Sequence, residues 1–302
     1  MVLQSSKLAV IVWSGFETRK RPLAADATLS IWTGPPRPIA QCRVATSDAI
    51  VRSMTYEPHR ASDDMTLNPE RTALITGASR GLGLALARGL AARGWNLILT
   101  ARDPERLRLV RDELARITHV AAIPGDVIDP THRDALAVLA RGHAGLDAII
   151  NNAGMLGPSP QPALLDYPLE ALVEVFLANV LAPLAVIQQL QDELKPGARI
   201  INVTSDAGVN AYPGWGGYGA SKAALEQLSA VLAAENRDLR VYWVDPGDMR
   251  TDMHQAAYPG EDISDRPLPE SKVPGFVAVL EGDLPSGRYV ASEVAAVGLV
   301  AA

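Results

Sequence analysis

Residues 76–83 read Thr76-Gly77-Ala78-Ser79-Arg80-Gly81-Leu82-Gly83, and this stretch decides the fold. It lies between an apolar run, Ala73-Leu74-Ile75-Thr76, and a segment from Leu82 to Arg93 whose apolar residues recur at helical spacing. Glycine is needed where a turn is too tight for a side chain or where backbone must approach a ligand closely. A helix starting directly after such a turn offers free N–H groups and a positive dipole end, which together suit a phosphate. A glycine-rich run is weak evidence by itself in a chain with 24 glycines. The strand before it and the helix after it supply the context a nucleotide site requires.

Outward from this loop the same alternation continues. Strands are expected at Asn96 to Thr100, Val120 to Ile123, Leu146 to Asn151, Arg199 to Thr204 and Arg240 to Val244. Helices are expected at Pro104 to Ile117, Pro130 to Arg141, Leu169 to Leu194 as one long helix, and Tyr218 to Glu235. Strands such as Ala148-Ile149-Ile150 are apolar without alternation, as strands buried on both faces are. The fold class is therefore α/β: a single doubly wound Rossmann domain, with a parallel sheet and helices on both faces, over residues 69–302. Residues 1–68 carry no sustained period and include Gly34-Pro35-Pro36. They read as a disordered extension or as a start assigned too far upstream, with Met54 or Met65 as the true start. A targeting peptide is a third reading.

Composition narrows the function. A net charge of −6 argues against nucleic acid or an anionic membrane as the main partner. The single cysteine, Cys42, excludes an intrachain disulfide framework and fits a reducing, cytoplasmic setting. No run approaches the roughly 18 consecutive apolar residues of a membrane span.

The chemistry sits later in the chain. Tyr218-Gly219-Ala220-Ser221-Lys222 puts a phenol and an ammonium on one helix face. With seven tyrosines and five lysines in 302 residues, this spacing is rare by chance. A nearby cation is expected to lower the phenol's pKa from about 10, so that it can give or take a proton near neutrality. The alternative is an ordinary helical Tyr–Lys pair. Ser205 closes a strand at its C-terminal end, where ligands bind in open α/β sheets. Taken alone it would read as a turn or helix cap, and Thr204 competes with it. Arg102, at the end of the second strand, occupies the place where an arginine accommodates a ribose 2′-phosphate, and Arg80 could reach the same group. Otherwise Arg102 is a solvated charge. Asp103 comes late for ribose binding and suits a helix cap before Pro104.

The order Thr-Gly-x-x-x-Gly-x-Gly (76–83), Asn151-Asn152-Ala153-Gly154, Ser205, Tyr218-x-x-x-Lys222 and Pro246-Gly247-x-x-x-Thr251 resembles the short-chain dehydrogenase/reductase family over about residues 70–252. The resemblance implies that Thr76, Gly77, Ser79, Arg80, Gly81, Leu82 and Gly83 hold the cofactor's phosphates. Asp126 and Val127 would contact adenine (or form a simple turn). Asn152, Ala153 and Gly154 would wall the cofactor, Pro246 and Gly247 would pack on nicotinamide, and Thr251 would bind its carboxamide. It further implies a catalytic set of Asn179, Ser205, Tyr218 and Lys222. Ser205 orients the substrate oxygen, Lys222 binds the nicotinamide ribose, and Asn179 holds a proton-relay water. On the residues alone, Asn179 is equally a buried cap or packing residue.

The expectation is an enzyme, an NADP(H)-dependent oxidoreductase interconverting a carbonyl and an alcohol on a small substrate. NAD is the less favoured cofactor. The alternative is an NADP(H)-binding sensor or scaffold without turnover. A sugar-nucleotide epimerase would need more chain after Lys222. A short substrate lid is expected over about 252–274; Met249, Met253, Tyr258 and nearby Trp215 suit an apolar or mixed pocket, or equally core packing. The resemblance also implies a homodimer or homotetramer through the helices starting near Leu169 and Tyr218. No metal site is expected.

Overall fold

The computed structural model describes residues 71–300. Seven strands form one parallel sheet: β1 (Thr72–Thr76), β2 (Asn96–Ala101), β3 (Val120–Pro124), β4 (Leu146–Asn151), β5 (Leu194–Val203), β6 (Arg240–Asp245) and β7 (Gly287–Val290), in the order β3-β2-β1-β4-β5-β6-β7. The helices are α1 (Gly81–Ala91), α2 (Pro104–Leu114), α3 (Pro130–Gly142), α4 (Leu169–Phe176), α5 (Ala182–Leu190), α6 (Gly216–Glu235), α7 (Asp252–Ala257), α8 (Val273–Glu281) and α9 (Ala291–Val300). The expected readings of residues 1–68 lie outside the described residues.

Successive side chains of β1 enter different cores. Ala73 and Ile75 pack with Leu86 and Leu90 of α1, Leu107 and Val110 of α2, and Phe276 and Val279 of α8. Leu74 packs on the opposite face with Leu136 and Ala140 of α3 and Val186 and Leu190 of α5. The strand is apolar throughout because both of its faces are covered. Burial of these aliphatic side chains, each contributing about 1.5–3 kcal/mol, holds the three layers together. The strand order reverses between β1 and β4, which opens a crevice beyond Thr76 and Asn151 where the sheet can receive a ligand.

Three expectations are corrected. The long helix from Leu169 is broken by a π-helical turn, Leu177–Leu181, then resumes and ends at Leu190. A short 3₁₀ turn follows, and β5 starts at Leu194, five residues ahead of the expected Arg199. The lid comprises α7 and a 3₁₀ turn, Pro269–Lys272, and stops there. Val273 and Pro274 instead begin α8, with Pro274 in the first turn, where its missing N–H costs nothing.

Among the described residues, Leu169–Glu193 is apolar and long enough to cross a bilayer, although Glu170, Glu174, Asn179 and Gln188 interrupt its apolar residues. In the fold it lies on the sheet with Val175, Val180, Val186, Ile187 and Leu190 buried. Leu169, Val173 and Leu181 remain exposed on its outer side.

Candidate active site

A cavity of about 670 Å³ occupies the crevice at the strand ends. Its floor is the loop from Gly77 to Leu82, and its walls include Arg102, Asp126, Val127, Asn152, Ala153, Gly154, Tyr218, Lys222, Pro246 and Thr251. The loop's shape depends on glycine at two places. Gly77 has φ +68°, a conformation L side chains rarely adopt. A Cβ on Gly83 would lie 2.3 Å from the Gly77 carbonyl oxygen and 2.5 Å from Asn152 Nδ2. The first turn of α1 is thereby seated against the loop, leaving backbone next to open space. That is a phosphate cradle by construction.

Thr76 and Gly83 build this cradle from behind the residues that line the cavity. Buried Thr76 accepts the N–H groups of Asn152 and Ala153 on its Oγ1, at 3.0 and 2.9 Å. Asn152 in turn donates Nδ2 to the carbonyl oxygens of Thr76 and Gly77 at 2.9 and 3.2 Å. Gly247 also stays off the wall: its N–H donates to Asp245 Oδ1 at 2.8 Å, which fixes the turn after Pro246.

At one end of the cavity Arg102 is exposed on the rim, with Arg106 one helical turn beyond it. Asp103 caps α2 by accepting the Arg106 N–H at 3.0 Å, as its position before Pro104 suggested. Arg106 escaped the sequence reading, although its spacing from a cap at the strand end was a usable signal. Asp126 accepts the Ile128 N–H at 3.0 Å, so it both forms a turn and borders the cavity. Arg80 reaches across the mouth to Asp252 on α7 at 2.9 Å. Asp252 had no sequence signal, since the two residues are 172 apart.

At the other end stand Tyr218 and Lys222, side by side on α6. Lys222 is buried, donates Nζ to the Val203 carbonyl at 2.8 Å, and lies 5.4 Å from the Tyr218 ring centroid. Tyr218 is half-buried and meets Trp215 edge-on at 5.8 Å, and Trp215 leans on Tyr258 of the lid at 6.1 Å. Met249 and Met253 also border the cavity. The surroundings oppose the expected lowering of the phenol's pKa by lysine. Desolvation pushes the Tyr218 phenol up, and the carboxylates of Asp245 and Asp206 add to the rise. Burial also draws Lys222 down to about 8, partly opposed by Glu226. The phenol is thus held protonated, ready to act as a donor.

Ser205 departs from its expected part in one respect. Its hydroxyl accepts the Ala207 N–H at 3.2 Å and donates to Asp206 Oδ1 at 3.0 Å, the cap geometry that an isolated serine would predict. It stands at the end of β5, as expected, but off the cavity wall. Asn179 lies in the π-helical turn, fully buried. It accepts the Met155 N–H on Oδ1 and donates Nδ2 to the Met155 carbonyl, both at 2.8 Å, and donates to Ser221 Oγ at 3.0 Å. The extra residue of the π turn explains how a helical asparagine finds backbone partners beyond its own helix. Asn179→Ala leaves the part-buried N–H and carbonyl of Met155 without their partner and is expected to cost about 1–3 kcal/mol in urea unfolding. An unchanged midpoint would show that water replaces the amide.

Thr251 lines the cavity and caps α7, accepting the His254 N–H on Oγ1 at 3.2 Å. The doubly wound sheet, the glycine cradle at its switch point and the Tyr–Lys pair facing it define a dinucleotide-dependent oxidoreductase architecture. A family model described as short chain dehydrogenase matches residues 71–262, and the chain belongs to that family.

Relatives agree with this. A rhamnolipid biosynthesis 3-oxoacyl-acyl-carrier-protein reductase of Pseudomonas aeruginosa is 38% identical, over 55% of this chain and 66% of its own length. Protein FixR of Bradyrhizobium diazoefficiens is 32% identical, over 77% of this chain and 88% of its own. An alcohol dehydrogenase from Thermococcus sibiricus, solved with 5-hydroxy-NADP, superposes with a TM-score of 0.67 at 28% identity, covering 73% of this chain and 95% of the other.

Proposed function

We propose that this protein is an NADP(H)-dependent reductase or dehydrogenase that interconverts a carbonyl and an alcohol on a small organic substrate. The carrying observation is the placement of Tyr218 and Lys222 on the wall of the same cavity whose floor is the glycine cradle. The cavity fits the cofactor: a Cβ would fill the cradle at Gly83, and Arg80, Arg102 and Arg106 surround the opposite end with positive charge suited to a 2′-phosphate. Structures of relatives solved with NADP derivatives support the same choice. When bound, the reduced cofactor supplies hydride to the carbonyl carbon.

The chain's own groups do the rest. Tyr218, held protonated, gives its proton to the carbonyl oxygen as the alcohol forms, and takes it back in the reverse direction. Lys222, tied to Val203, stands one helical turn away to stabilise the phenolate so produced. Ser205 must turn its hydroxyl from Asp206 toward the substrate oxygen to orient it. Asn179 fixes the Met155 backbone behind Gly154 on the cavity wall. Trp215, Tyr258, Met249 and Met253 furnish a largely apolar substrate side.

The exposed row Leu169, Val173 and Leu181 supports self-association through α4 to α6. The single cysteine supports a reducing, cytoplasmic setting.

The test is titration with NADPH and NADH, followed by NADPH consumption against ketones, aldehydes and quinones. Tight NADPH binding with turnover is expected; binding without turnover over the whole panel would favour a sensor. Arg102→Asp is expected to reverse the preference toward NADH, by roughly tenfold to a hundredfold, as a carboxylate repels a 2′-phosphate and accepts a 2′-hydroxyl. A variant that keeps its preference for NADPH would transfer that role to Arg80 and Arg106.

A further inference from the structure

Behind the catalytic pair lies a cluster of charged side chains that the proposed reaction does not use. Arg288, on β7, donates Nε to Glu226 Oε1 at 3.1 Å and Nη2 to Asp245 Oδ2 at 3.1 Å. The same Nη2 lies 3.4 Å from the Ser205 carbonyl oxygen. Glu226 also accepts from Thr204 Oγ1 at 2.7 Å, and Asp245 accepts the Gly247 N–H. The carboxylates are largely withdrawn from water, with side-chain exposures of 12% for Glu226 and 6% for Asp245. Ions removed from water persist only where they are closely paired and their remaining hydrogen bonds are satisfied, and here they are.

The partners belong to three of the segments that carry the site. Glu226 is one turn beyond Lys222 on the same face of α6. Asp245 directly precedes Pro246. Thr204 and Ser205 end β5. Resting on the reading of Tyr218 and Lys222 above, we infer that Arg288 is a positioning residue: it clamps the end of β5, the catalytic helix and the Pro246–Gly247 turn into one register and neutralises the carboxylates behind Lys222. Arg288 lies beyond the region matched by the family model.

The charge count gives the clamp a consequence for the proton chemistry. Two carboxylates against one guanidinium leave one net negative charge, and Lys222 is the next cation along the helix. Among the described residues, the charged groups bearing on Tyr218 and Lys222 are Asp206 after β5, Glu226 on α6 and Asp245 on β6. Arg288 pairs with two of these three from β7 and offsets one of their two charges. Without it, both carboxylates would act in full on the pair, and the lysine would keep its proton to higher pH.

The experiment is a pH titration of the full-length protein labelled with ¹³C at lysine Cε. There are five lysines, and Lys222→Arg identifies the Lys222 signal. Wild type is expected to show Lys222 titrating near about 8. Arg288→Met is expected to move that midpoint up by about one pH unit, and Glu226→Gln added to Arg288→Met to return it toward wild type. Arg288→Lys keeps the charge but loses the fork, so it should leave the midpoint in place while lowering kcat more than it raises KM. If Arg288→Met does not fold, Glu226→Gln alone still decides. It retains an oxygen for the Thr204 hydroxyl, and the Lys222 midpoint should fall by about one pH unit. A Lys222 midpoint that stays put in the folded charge-removing variants, Arg288→Met or Glu226→Gln, overturns the clamp. Failure of wild type to turn over any carbonyl would instead overturn the proposed function, while the titration would still judge Arg288.

Discussion

Tyr218→Phe is expected to bind NADPH as wild type does and to lose carbonyl turnover by about 10³-fold or more, the scale of a general acid. The two outcomes separate because the ring and the hydroxyl have different work. The ring packs edge-on against Trp215 and lies beside Lys222, and phenylalanine preserves both contacts. Among the described residues the hydroxyl has no hydrogen-bond partner, so its removal should hardly change stability. Single-turnover measurement with saturating NADPH is the suitable check, because it isolates the proton-transfer step from product release. Retention of turnover in the variant would remove Tyr218 as the acid, and the next group to examine would be Ser205.

Gly83→Ala is expected to lower NADPH affinity by about a hundredfold and stability by about 1–3 kcal/mol, the usual cost of forcing a carbon into filled space. The new methyl would sit 2.3 Å from the Gly77 oxygen and 2.5 Å from Asn152 Nδ2, so the loop and the end of β4 must both shift. Neither is the loose end of a flexible side chain. Gly142→Ala, which has open space around its Cβ and closes α3, is the matched control and should bind cofactor normally. Calorimetric titration with NADPH and thermal unfolding of both variants would decide. Equal affinities would show that the cradle accommodates a side chain at this position.

Much of the fold was legible because its signals are local. The apolar runs of β1 and β4, the cap Asp103 followed by Pro104, and the glycine loop each announce themselves within a few residues. The π turn at Leu177–Leu181 was hidden because apolar residues flank it on both sides, leaving Asn179 as the sole sign of trouble. Helix α8 was hidden behind Pro274 and Gly275, which read as breakers although proline suits a first turn. In the site, the Tyr–Lys pair was readable because helical spacing fixes its geometry. Its protonation was not, since the phenol responds first to burial and then to Asp245 and Asp206, which other segments carry. Arg288 was illegible for the same reason: its partners lie 62 and 43 residues away, and no local pattern joins them.

The bonds from Thr76 to Asn152 and Ala153 tie together residues 76 and 77 positions apart. A growing chain that has completed β1 through β3 therefore possesses the whole glycine loop without the neighbour that sets its shape. Closing so long a stretch costs entropy before any contact offsets it, which makes docking of β4 a late and slow event in assembly. The nucleotide can reward only the topology that already contains that docked strand. It acts as a seal on the finished domain, raising the barrier to opening at the centre of the sheet, and exerts no pull on the nascent first half.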